Sequence, residues 1–481
     1  MNRKLRMGMV GGGKDAFIGA IHRLAANMDG LIEVTCGALS INPEIAVASG
    51  EALFLPKERT YLTYEEMITK EAQLPADERI DFVTIVTPNF AHFAPAMMAL
   101  ENGFNVVIEK PITFSLEEAK LLQQKLKETG LTLCLTHTYS GYPMVKQAKA
   151  MVREGKLGKI RKVWVEYPQG WLSRLSEREG NAQAAWRTDP KKSGKSSVMG
   201  DIGTHAAHLA EYITGSKITD ICAELNTLVE GRVMDDDGAV MLKFDNGAKG
   251  VLMASQVAAG EENAVKIRVY GEKGGIEWLQ HEPNSLIVKW LDEPMQILRA
   301  GSNYAHLSSF ARHNCRTPGG HPEGYLEAFA NIYRNFALTL GCKIDGVEPT
   351  PDFSETDATV AATIDRFIVR QDSTGETPSM SVDELRIGTT WAQVTNGTLG
   401  TNQNTIAGLR MYPNPVSNGT LFIETLANTE KTVAIFDVLG KQVLNTSTSN
   451  NAINVASLHT GVYIVNITEE GKTASRKLVI K

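Results

Sequence analysis

A short apolar strand that runs directly into a glycine-rich turn constrains the fold of this chain more than any other feature. Met7–Val10 is followed at once by the pattern G-x-G-x-x-A, formed by Gly11, Gly13 and Ala16. In such a turn the first glycine allows a sharp bend, the second lets the backbone approach a pyrophosphate, and the small third residue allows close packing of helix on sheet. The helix expected over about residues 16–27 would offer unpaired backbone N–H groups to that anion. The pattern therefore predicts a dinucleotide-binding strand, turn and helix.

The length and composition of the chain exclude several classes of protein. At 481 residues the chain exceeds what one hydrophobic core usually supports, so about two or three domains are expected. The net charge of -6 offers no basic surface for nucleic acid. The sequence contains no run of roughly 18 uninterrupted apolar residues, as a membrane span would need. We expect neither a nucleic-acid partner nor a membrane span.

The residues that commonly bind metals are not arranged as metal sites. The five cysteines are scattered and lack C-x-x-C spacing, which argues against a zinc site and against a disulfide framework. Three adjacent acidic residues, Asp235–Asp237, are expected to form a solvated loop, because no histidine or further carboxylate stands at a ligand spacing from them. We expect no bound metal.

Apolar runs alternate with helical patterns over the first 150 residues. Gly30, Gly103 and Gly130 each stand after a helical stretch and before a strand, where a C-cap glycine belongs. This alternation predicts an α/β fold, a doubly wound parallel sheet covered on both faces. The predicted strands are Lys4 to Val10, Ile32 to Leu39, Phe82 to Val86, Asn105 to Ile108 and Leu131 to Thr136.

The pattern changes beyond Gly158 and again after about Pro351. Alternating strands predict an open, mostly antiparallel sheet in an α+β domain. A helix over Glu323 to Leu340 is expected to pack back on the nucleotide domain, and Leu409 to Lys481 is expected to form a small β-sandwich. The alternating strands are Lys159 to Tyr167, Ala239 to Phe244, Gly250 to Ser255, Val265 to Val269 and Leu286 to Trp290. We divide the chain into a nucleotide domain over 1–140, a substrate and oligomerisation domain over 141–350, a linker over 351–407 and a tail over 408–481.

Six separated motifs resemble the Gfo/Idh/MocA oxidoreductase family, a Rossmann domain followed by an α/β substrate domain. The likeness runs from about residue 4 to about residue 345. The motifs are Gly11 to Gly19, Thr87 to His92, Glu109 to Pro111, Trp186 to Pro190, Gly200 to His205 and Gly320 to Gly324.

The resemblance implies the catalytic residues. In this family a D-x-x-x-H element carries the proton chemistry, and here it reads Asp201 to His205, a spacing that would place both side chains on one face of a helix. Oxidation of a secondary alcohol needs a base beside the carbinol, and His205 is assigned that role. Asp201 would orient the imidazole or contact a substrate hydroxyl, and Lys110 would hydrogen-bond the reacting oxygen. Without the resemblance, Asp201 could instead be a carboxylate that stabilises the N-terminus of a helix, and His205 a buried residue hydrogen-bonded to a carbonyl. His208 is expected to be structural.

The resemblance also implies a nicotinamide cofactor, NAD or NADP. At the end of the second strand an acidic residue would hold the ribose diol, but the chain has Ser40 there. Ser40 cannot repel a 2′-phosphate, and no arginine follows it to bind one, so the sequence leaves the choice open and slightly favours NAD. The expected cofactor-binding residues are Gly11, Gly13, Ala16, Phe17, Ile18, Ser40, Thr87, Pro88, Asn89, His92, Glu109 and Lys110.

The expected substrate is a sugar, a cyclitol or a sugar derivative. Aromatic and forked polar side chains suit the apolar face and the hydroxyl edge of such a ring, although each could instead be a satisfied turn or core residue. Glu323 could cap the helix that follows it. The expected substrate-binding residues are Tyr139, Gln169, Trp186, Arg187, Asp189 and His321.

The tail resembles the C-terminal sorting domain of type IX secretion cargo. The likeness rests on Met411 to Gly419, Val438 to Lys441, Gly461 to Tyr463 and Lys477 to Lys481, and strands near 364–370 and 382–391 look like a concanavalin-like remnant. Secretion needs a signal peptide, which we do not expect, because residues 1–6 precede an apolar run of only Met7–Val10. The catalytic part is therefore expected in the cytoplasm, with a tail suited to secretion or the cell surface.

The resemblance implies reversible NAD(P)-dependent oxidation of a secondary hydroxyl, by an enzyme similar to sugar or inositol dehydrogenases. Two alternatives stay open: a glycosidase that keeps NAD bound and shows no net redox change, and a secreted carbohydrate-binding fusion without catalysis. A homodimer or homotetramer is a further expectation from the family.

Overall fold

The computed structural model describes residues 3–14, 16–345, 359–360, 406–437 and 441–481. The chain divides into two compact units, Met1–Glu376 and Thr377–Lys481. The concanavalin-like strands predicted near 364–370 and 382–391 lie outside the described residues.

The first sheet of unit 1 confirms the predicted parallel sheet. Its order is β14-β5-β4-β3-β1-β2, in which the first five strands of the chain run parallel and β14 is antiparallel to β5. The strands are β1 (Leu5–Val10), β2 (Ile32–Ala38), β3 (Phe82–Ile85), β4 (Asn105–Ile108), β5 (Leu133–Leu135) and β14 (Thr359–Val360).

Helices cover this parallel sheet. Gly30, Gly103 and Gly130 have φ values of 68°, 81° and 67°, as expected of glycines that end helices. The helices are α1 (Phe17–Asn27), α2 (Pro43–Ala52), α3 (Tyr64–Gln73), α4 (Phe93–Glu101) and α5 (Leu116–Thr129).

The second sheet of unit 1 has eight strands in the order β13-β12-β11-β10-β6-β9-β8-β7. All neighbours are antiparallel except β6 and β9, which run parallel. This matches the predicted open, mostly antiparallel sheet. Its strands are β6 (Lys162–Pro168), β7 (Ile218–Asn226), β8 (Asp237–Phe244), β9 (Lys249–Ser255), β10 (Lys266–Tyr270), β11 (Gly274–Leu279), β12 (Ser285–Trp290) and β13 (Gln296–Arg299).

One face of the second sheet is covered by helices and forms a hydrophobic core with Met144, Leu209 and Ile213. A widened helical turn over Met199–Gly203, with π-type hydrogen bonding, leads directly into one of these helices. The remaining helices of unit 1 are α6 (Pro143–Arg153), α7 (Ala182–Arg187), α8 (Pro190–Ser193), α9 (Thr204–Thr214), α10 (Ser309–His313) and α11 (Tyr325–Asp345).

Helix α11 returns to the first sheet, as the sequence predicted. Phe329, Tyr333 and Phe336 are buried against Phe82 of β3 and Ala25 of α1. Aromatic side chains of this size each remove a large apolar area from water, so this contact contributes strongly to the stability of the unit.

Unit 2 is a β-sandwich, also as predicted. A sheet of order β15-β16-β19 and a sheet of order β18-β17-β20-β21 share one buried core that includes Leu421, Val433 and Val465. Within this unit the buried Lys431 pairs with the buried Glu469 at 3.3 Å. The strands are β15 (Arg410–Tyr412), β16 (Thr420–Glu424), β17 (Lys431–Phe436), β18 (Gln442–Thr448), β19 (Ala452–Asn454), β20 (Gly461–Glu469) and β21 (Lys472–Ile480).

Helix α1 packs against the glycine turn at Gly19. A Cβ atom at Gly19 would overlap the backbone of Gly12. We predict that Gly19→Ala destabilises the protein by about 1–3 kcal/mol, the usual cost of overpacking, and weakens NAD binding because the turn is displaced. Urea denaturation and NAD titration check this, with the exposed neighbour Ala20→Ser as control. Equal stability and NAD affinity in both variants would contradict it.

Candidate active site

The glycine turn after β1 is shaped to receive an anion. Gly11 and Gly12 have φ values of 78° and 71°, and Gly11 N–H donates to the Ala38 carbonyl at 2.9 Å. Helix α1 begins beside the turn, no acidic residue lies in its first turn, and no side-chain hydrogen bond among the described residues caps it at Ala16. Its first backbone N–H groups therefore remain available to a phosphate.

The roles expected of two residues in this turn are different in the structure. A Cβ at Gly13 would lie 2.7 Å from the Leu39 carbonyl oxygen, so glycine is needed there for packing of the turn against the end of β2. The helix-to-turn contact that the motif predicted for Ala16 is made by Gly19 instead, because the Gly12 backbone lies directly against Gly19. Phe17 is 71% exposed at the mouth of the turn, and Ile18 is half-buried.

Ser40 lies just beyond β2, where a ribose diol is held in dinucleotide-binding folds. Its hydroxyl accepts a hydrogen bond from Asn42 N–H at 3.1 Å, and the Asn42 side chain caps α2. A hydroxyl at this position leaves the choice between NAD and NADP undecided.

The Thr87–His92 segment is held mainly by bonds within the protein. Thr87 Oγ1 donates to the Ala91 carbonyl at 2.9 Å, and Pro88 between them is exposed. The buried Asn89 donates to the Ser193 carbonyl at 3.2 Å, and the buried His92 ring lies 2.8 Å from the carbonyls of both Pro111 and Thr87. Asn89 and His92 thus hold the loop in place rather than turn toward open space.

Glu109 follows β4 and is enclosed by polar partners. Its Oε1 accepts from Thr136 Oγ1 at 2.6 Å and lies 2.9 Å from His22 Nε2, while His22 Nδ1 lies 2.7 Å from the Tyr333 hydroxyl. Burial raises the pKa of Glu109, but the hydrogen bond and charge of His22 and the charge of Lys110 act more strongly and lower it to about 2. Glu109 is therefore a fixed negative charge beside Lys110.

Lys110 and Asp201 form the centre of the candidate site. Lys110 Nζ donates to Asp201 Oδ1 at 2.6 Å and to the Asp201 carbonyl at 2.7 Å. The other carboxylate oxygen, Oδ2, accepts from Arg187 Nε at 3.1 Å and from Gln256 Nε2 at 2.9 Å. Burial raises the pKa of Asp201, but the charges of Lys110 and Arg187 outweigh burial and hold that pKa well below its ordinary value. Asp201 is ionised and fully engaged.

The widened turn that carries Asp201 is anchored by an aspartate that sequence reasoning placed in a solvated loop. Asp235 accepts from Ser196 Oγ at 2.7 Å and from Ser197 N–H at 2.8 Å, directly before Met199–Gly203. Asp236 is buried and paired with Arg232 at 3.0 Å. The prediction of a solvated loop was therefore wrong for Asp236, whose charge is neutralised by a buried guanidinium.

Asp201 does not orient His205. The two side chains form no hydrogen bond, because Asp201 lies in the π-type turn and His205 in the regular helix α9, so a spacing of four does not bring them together. The nearest imidazole partner of His205 is His137, with the two Nδ1 atoms 3.5 Å apart. His137 in turn stacks on His208, with ring centroids 4.1 Å apart.

His205 is buried among aromatic rings. The Tyr139 ring meets it edge-on with centroids 5.0 Å apart. Burial and the charge of Lys110 lower the pKa of His205 to about 3, although Glu109 and Asp201 act in the opposite direction. His205 is neutral near pH 7 and can accept a proton.

A polar network continues from Tyr139 along the edge of the second sheet. The Tyr139 and Tyr167 hydroxyls lie 2.5 Å apart, and Asn263 Nδ2 donates to Tyr139 at 3.0 Å. Asn263 Oδ1 accepts from Gln169 Nε2 at 2.7 Å. Burial raises the pKa of Tyr139 to about 12, so its hydroxyl stays protonated.

A cleft of about 300 Å³ lies between Phe17, the first residue of α1, and Gln169 of this network. The Trp186 ring lies 4.2 Å from the guanidinium of Arg187, which lines the cleft, and the Nε1 of Trp186 donates to Gln183. The cleft is lined by Phe17, Gln169, Trp171, Gln183, Arg187 and Asp201.

Two of the predicted substrate residues are engaged elsewhere. Asp189 caps the short helix α8 by accepting from Lys191 N–H at 3.0 Å. His321 is exposed and its Nδ1 lies 3.3 Å from the Pro318 carbonyl, and the nearby Glu323 accepts from the backbone of Arg316 and Thr317. The structure thus brings together Lys110, Asp201, His205, Arg187, Gln169 and Tyr139, but neither Asp189 nor His321.

Sequence reasoning missed the residues that complete the site: His137, Trp171, Gln256 and Asn263. Gln169 and Gln256 follow the parallel strands β6 and β9, and their side chains meet at 3.3 Å. A polar residue after each strand was visible in the sequence, but the pairing of the strands was not. Within the described ranges, no group of three or more His, Cys, Asp or Glu residues could hold a metal ion.

These residues fit a bound dinucleotide. Gly11 and Gly12 have positive φ and the turn is packed too closely for side chains, since a Cβ at Gly11 would lie 3.1 Å from Thr87 Cγ2. The N-terminus of α1 lies beside this turn and would bind the phosphates, and Lys110 lies at the carboxyl edge of the sheet, where ligands of such folds bind.

Comparison with known proteins identifies the class. Residues 5–137 match the model of the oxidoreductase family with an NAD-binding Rossmann fold, and residues 145–277 match the GFO/IDH/MocA C-terminal domain. A Bacillus subtilis (strain 168) protein, "Uncharacterized oxidoreductase YfiI", is 33% identical over 71% of this chain and 87% of the relative. The chain therefore belongs to the Gfo/Idh/MocA family of NAD-binding oxidoreductases.

Two further relatives have named ligands. Levoglucosan dehydrogenase of Pseudarthrobacter phenanthrenivorans is 27% identical over 57% of this chain and 73% of the relative. The crystal structure of an inositol dehydrogenase homolog from Azotobacter vinelandii, complexed with NAD+, is 34% identical with a TM-score of 0.69, over 72% of this chain and 88% of that one. The relatives thus include sugar and inositol dehydrogenases.

The tail has its own match. Residues 410–481 match the model of the secretion system C-terminal sorting domain, which indicates secretion or the cell surface. Within the described ranges no helix combines the length and apolar character needed to cross a membrane.

The buried histidines make the stability of the protein depend on pH. Burial lowers the pKa of His137, His205 and His208 below 6.5, so the unfolded chain binds more protons than the folded one as the pH falls below about 6.5. The free energy of unfolding should decrease by up to about 1.4 kcal/mol per pH unit for each of them. Glu109 and Asp201, with lowered carboxyl pKa values, add to this loss only below about pH 4.

Thermal melting at pH 7.5 and pH 5 measures this effect. The Tm should be lower at pH 5, and His208→Gln should reduce the difference whereas the exposed control His321→Gln should not. A Tm that is unchanged between the two pH values would contradict the account.

Proposed function

We propose that this chain transfers hydride between a secondary hydroxyl of a sugar, cyclitol or sugar derivative and a nicotinamide cofactor. The observation that carries the proposal is the contact of Lys110 Nζ with Asp201 at 2.6 Å, near the neutral, buried His205 and at the cleft that Asp201 lines. An ammonium donor, a neutral base and a dinucleotide cradle are what oxidation of an alcohol requires.

Each of the three residues has a distinct role in this proposal. Asp201 fixes the Lys110 ammonium so that it donates to the reacting oxygen and stabilises the alkoxide as it develops. His205 takes the hydroxyl proton, and in the reverse direction returns it. When bound, the nicotinamide supplies the hydride acceptor. NAD is favoured over NADP, since Ser40 is not accompanied by a phosphate clamp and the inositol dehydrogenase homolog binds NAD+.

The proposed substrate contacts come from the cleft. Arg187, Gln169 and Trp171 present forked polar groups and an aromatic face, which suit a ring that bears several hydroxyls. Tyr139 and Trp186 lie next to these groups. Asp189 and His321 have weaker support, because other parts of the chain already engage them.

The test is absorbance of reduced nicotinamide for the full chain, with NAD and with NADP, against myo-inositol, scyllo-inositol, levoglucosan, glucose and a set of glycosides. We expect turnover with a cyclic polyol and a preference for NAD. Cleavage of a glycoside without net NADH would instead favour a redox-neutral glycosidase. Binding of cofactor without any turnover would favour a carbohydrate-binding fusion.

His205→Gln should lower kcat by about 10²–10⁴-fold, the usual contribution of a positioned base. The Kd for NAD should stay within about twofold, since cofactor and base are held by different elements. The matched control is His321→Gln, an exposed histidine outside the cleft. Loss of NAD binding in His205→Gln would refute the role given to it.

We further propose that the chain self-associates through the open face of the second sheet. Trp164, Met241 and Met253 are exposed on that face, and water-exposed apolar side chains of this kind commonly mark an interface. Light scattering should give a dimer or tetramer, and Met241→Lys should dissociate it.

We also propose that the catalytic unit acts in the cytoplasm, where a soluble nicotinamide pool is present. Cell fractionation should find the activity in the cytoplasm.

A further inference from the structure

His137 lies where ligands approach the first sheet, although the proposed chemistry assigns it no part. It follows β5 by two residues, just as Lys110 follows the neighbouring parallel strand β4 by two residues. The carboxyl ends of neighbouring parallel strands meet at one edge of the sheet. His137 is therefore close to the reacting centre in space.

We propose that His137 is a positioning residue, which keeps the ring proton of His205 on Nδ1 and leaves Nε2 to take the proton of the substrate hydroxyl. This inference rests on the proposed function. In it, the hydroxyl proton moves to His205 Nε2 as the alcohol is oxidised, and the Nδ1 proton of His205 stays hydrogen-bonded to His137. The bound nicotinamide would supply the hydride acceptor.

The contact between the two rings requires opposite tautomers. The Nδ1 atoms lie 3.5 Å apart and the ring planes cross at 83°. Burial lowers the pKa of both imidazoles, so each ring is neutral near pH 7 and carries one proton. Two facing N–H groups repel each other, as do two facing lone pairs, so one Nδ1 must donate and the other must accept.

The surroundings of His205 favour donation from its own Nδ1. Among the described residues none hydrogen-bonds His205 Nε2, so that nitrogen is open to a substrate hydroxyl and, in the Nδ1–H tautomer, offers its lone pair there. The nearby carboxylate that could have oriented the ring, Asp201, is occupied by Lys110, Arg187 and Gln256. His137 therefore has the role that a carboxylate has in many other active sites, where it orients the imidazole that acts as the base.

His208 gives His137 a fixed orientation. The two rings are nearly parallel, at 8°, with centroids 4.1 Å apart. His205 and His208 are three residues apart on α9, so they lie on one face of the helix and both meet His137. The stack holds the plane of the His137 ring, and with it the direction of the Nδ1 lone pair.

A matched pair of variants separates the hydrogen bond from packing. His137→Phe keeps a flat ring that can stack on His208 but lacks the acceptor, whereas His137→Asn shortens the side chain but keeps a carbonyl acceptor. Nitrogen-15 NMR of ring-labelled histidine reads the tautomer of His205 in the full chain, with His205→Gln to assign the signal, and it needs no substrate.

We expect the Nδ1–H tautomer of His205 in the wild type and in His137→Asn, and a mixture of tautomers in His137→Phe. The Nε2–H tautomer in the wild type would overturn the inference. An unchanged tautomer in His137→Phe would overturn it as well. Melting of each variant, followed by circular dichroism, identifies a variant that fails to fold, in which case His137→Leu replaces His137→Phe.

Kinetics with the panel compound of highest turnover give the second readout. His137→Phe should lower kcat by about 10–100-fold, a typical loss for a group that orients another, with KM and the Kd for NAD within about twofold. His137→Asn should keep kcat within about fivefold of the wild type. Equal losses in both variants would indicate packing and overturn the inference. If the wild type turns nothing over but the tautomer result holds, the proposed function fails and the positioning of His205 stands.

Discussion

The ion pair between Lys110 and Asp201 is the contact on which the rest of the candidate site depends. It joins the carboxyl edge of the parallel sheet to the widened turn before α9, two regions 91 residues apart in sequence. Because Asp201 also accepts from Arg187 and Gln256, its carboxylate is compensated in a buried setting. Removal of one partner would leave a buried charge without compensation. The resulting loss of stability would be far larger than the net contribution of the intact pair.

The same ion pair controls the state of His205. The Lys110 ammonium acts together with burial to lower the pKa of His205, so the imidazole stays neutral beside a positive charge. Glu109 balances that charge on the other side and is itself held by His22, whose other nitrogen meets the Tyr333 hydroxyl of α11. The returning helix is thus connected through hydrogen bonds to the reacting centre, so its packing supports the chemistry as well as the fold.

The sequence predicted those parts of the molecule that follow from local pattern. Apolar runs located the parallel strands within a few residues, and the glycine turn located the cofactor cradle, because both depend on neighbours in the chain. The family resemblance supplied Lys110, Asp201 and His205. Gln256 and Asn263 could not be predicted, since they reach the site through the pairing of β6 with β9 and β10, which no local pattern specifies.

Other differences arise because local hydrogen bonds compete for side chains. Asp189, a predicted substrate residue, caps the short helix α8, and Asp235 anchors the turn that carries Asp201. The π-type turn at Met199–Gly203 changes which side chains face each other, so Asp201 and His205 share no hydrogen bond despite their spacing of four. Such turns are common at functional sites and are hard to read from sequence.

Transfer of deuterium tests the central claim most directly. Carbon-deuterated cyclitols and sugars from the panel would be incubated with the full chain and NAD, and the cofactor would then be analysed by mass spectrometry. The account predicts that the reduced nicotinamide carries deuterium from the carbinol carbon, and that Asp201→Asn, which removes the negative charge paired with Lys110, abolishes the transfer. Glycoside cleavage with no deuterium in the released cofactor, or bound cofactor that never becomes labelled, would contradict it.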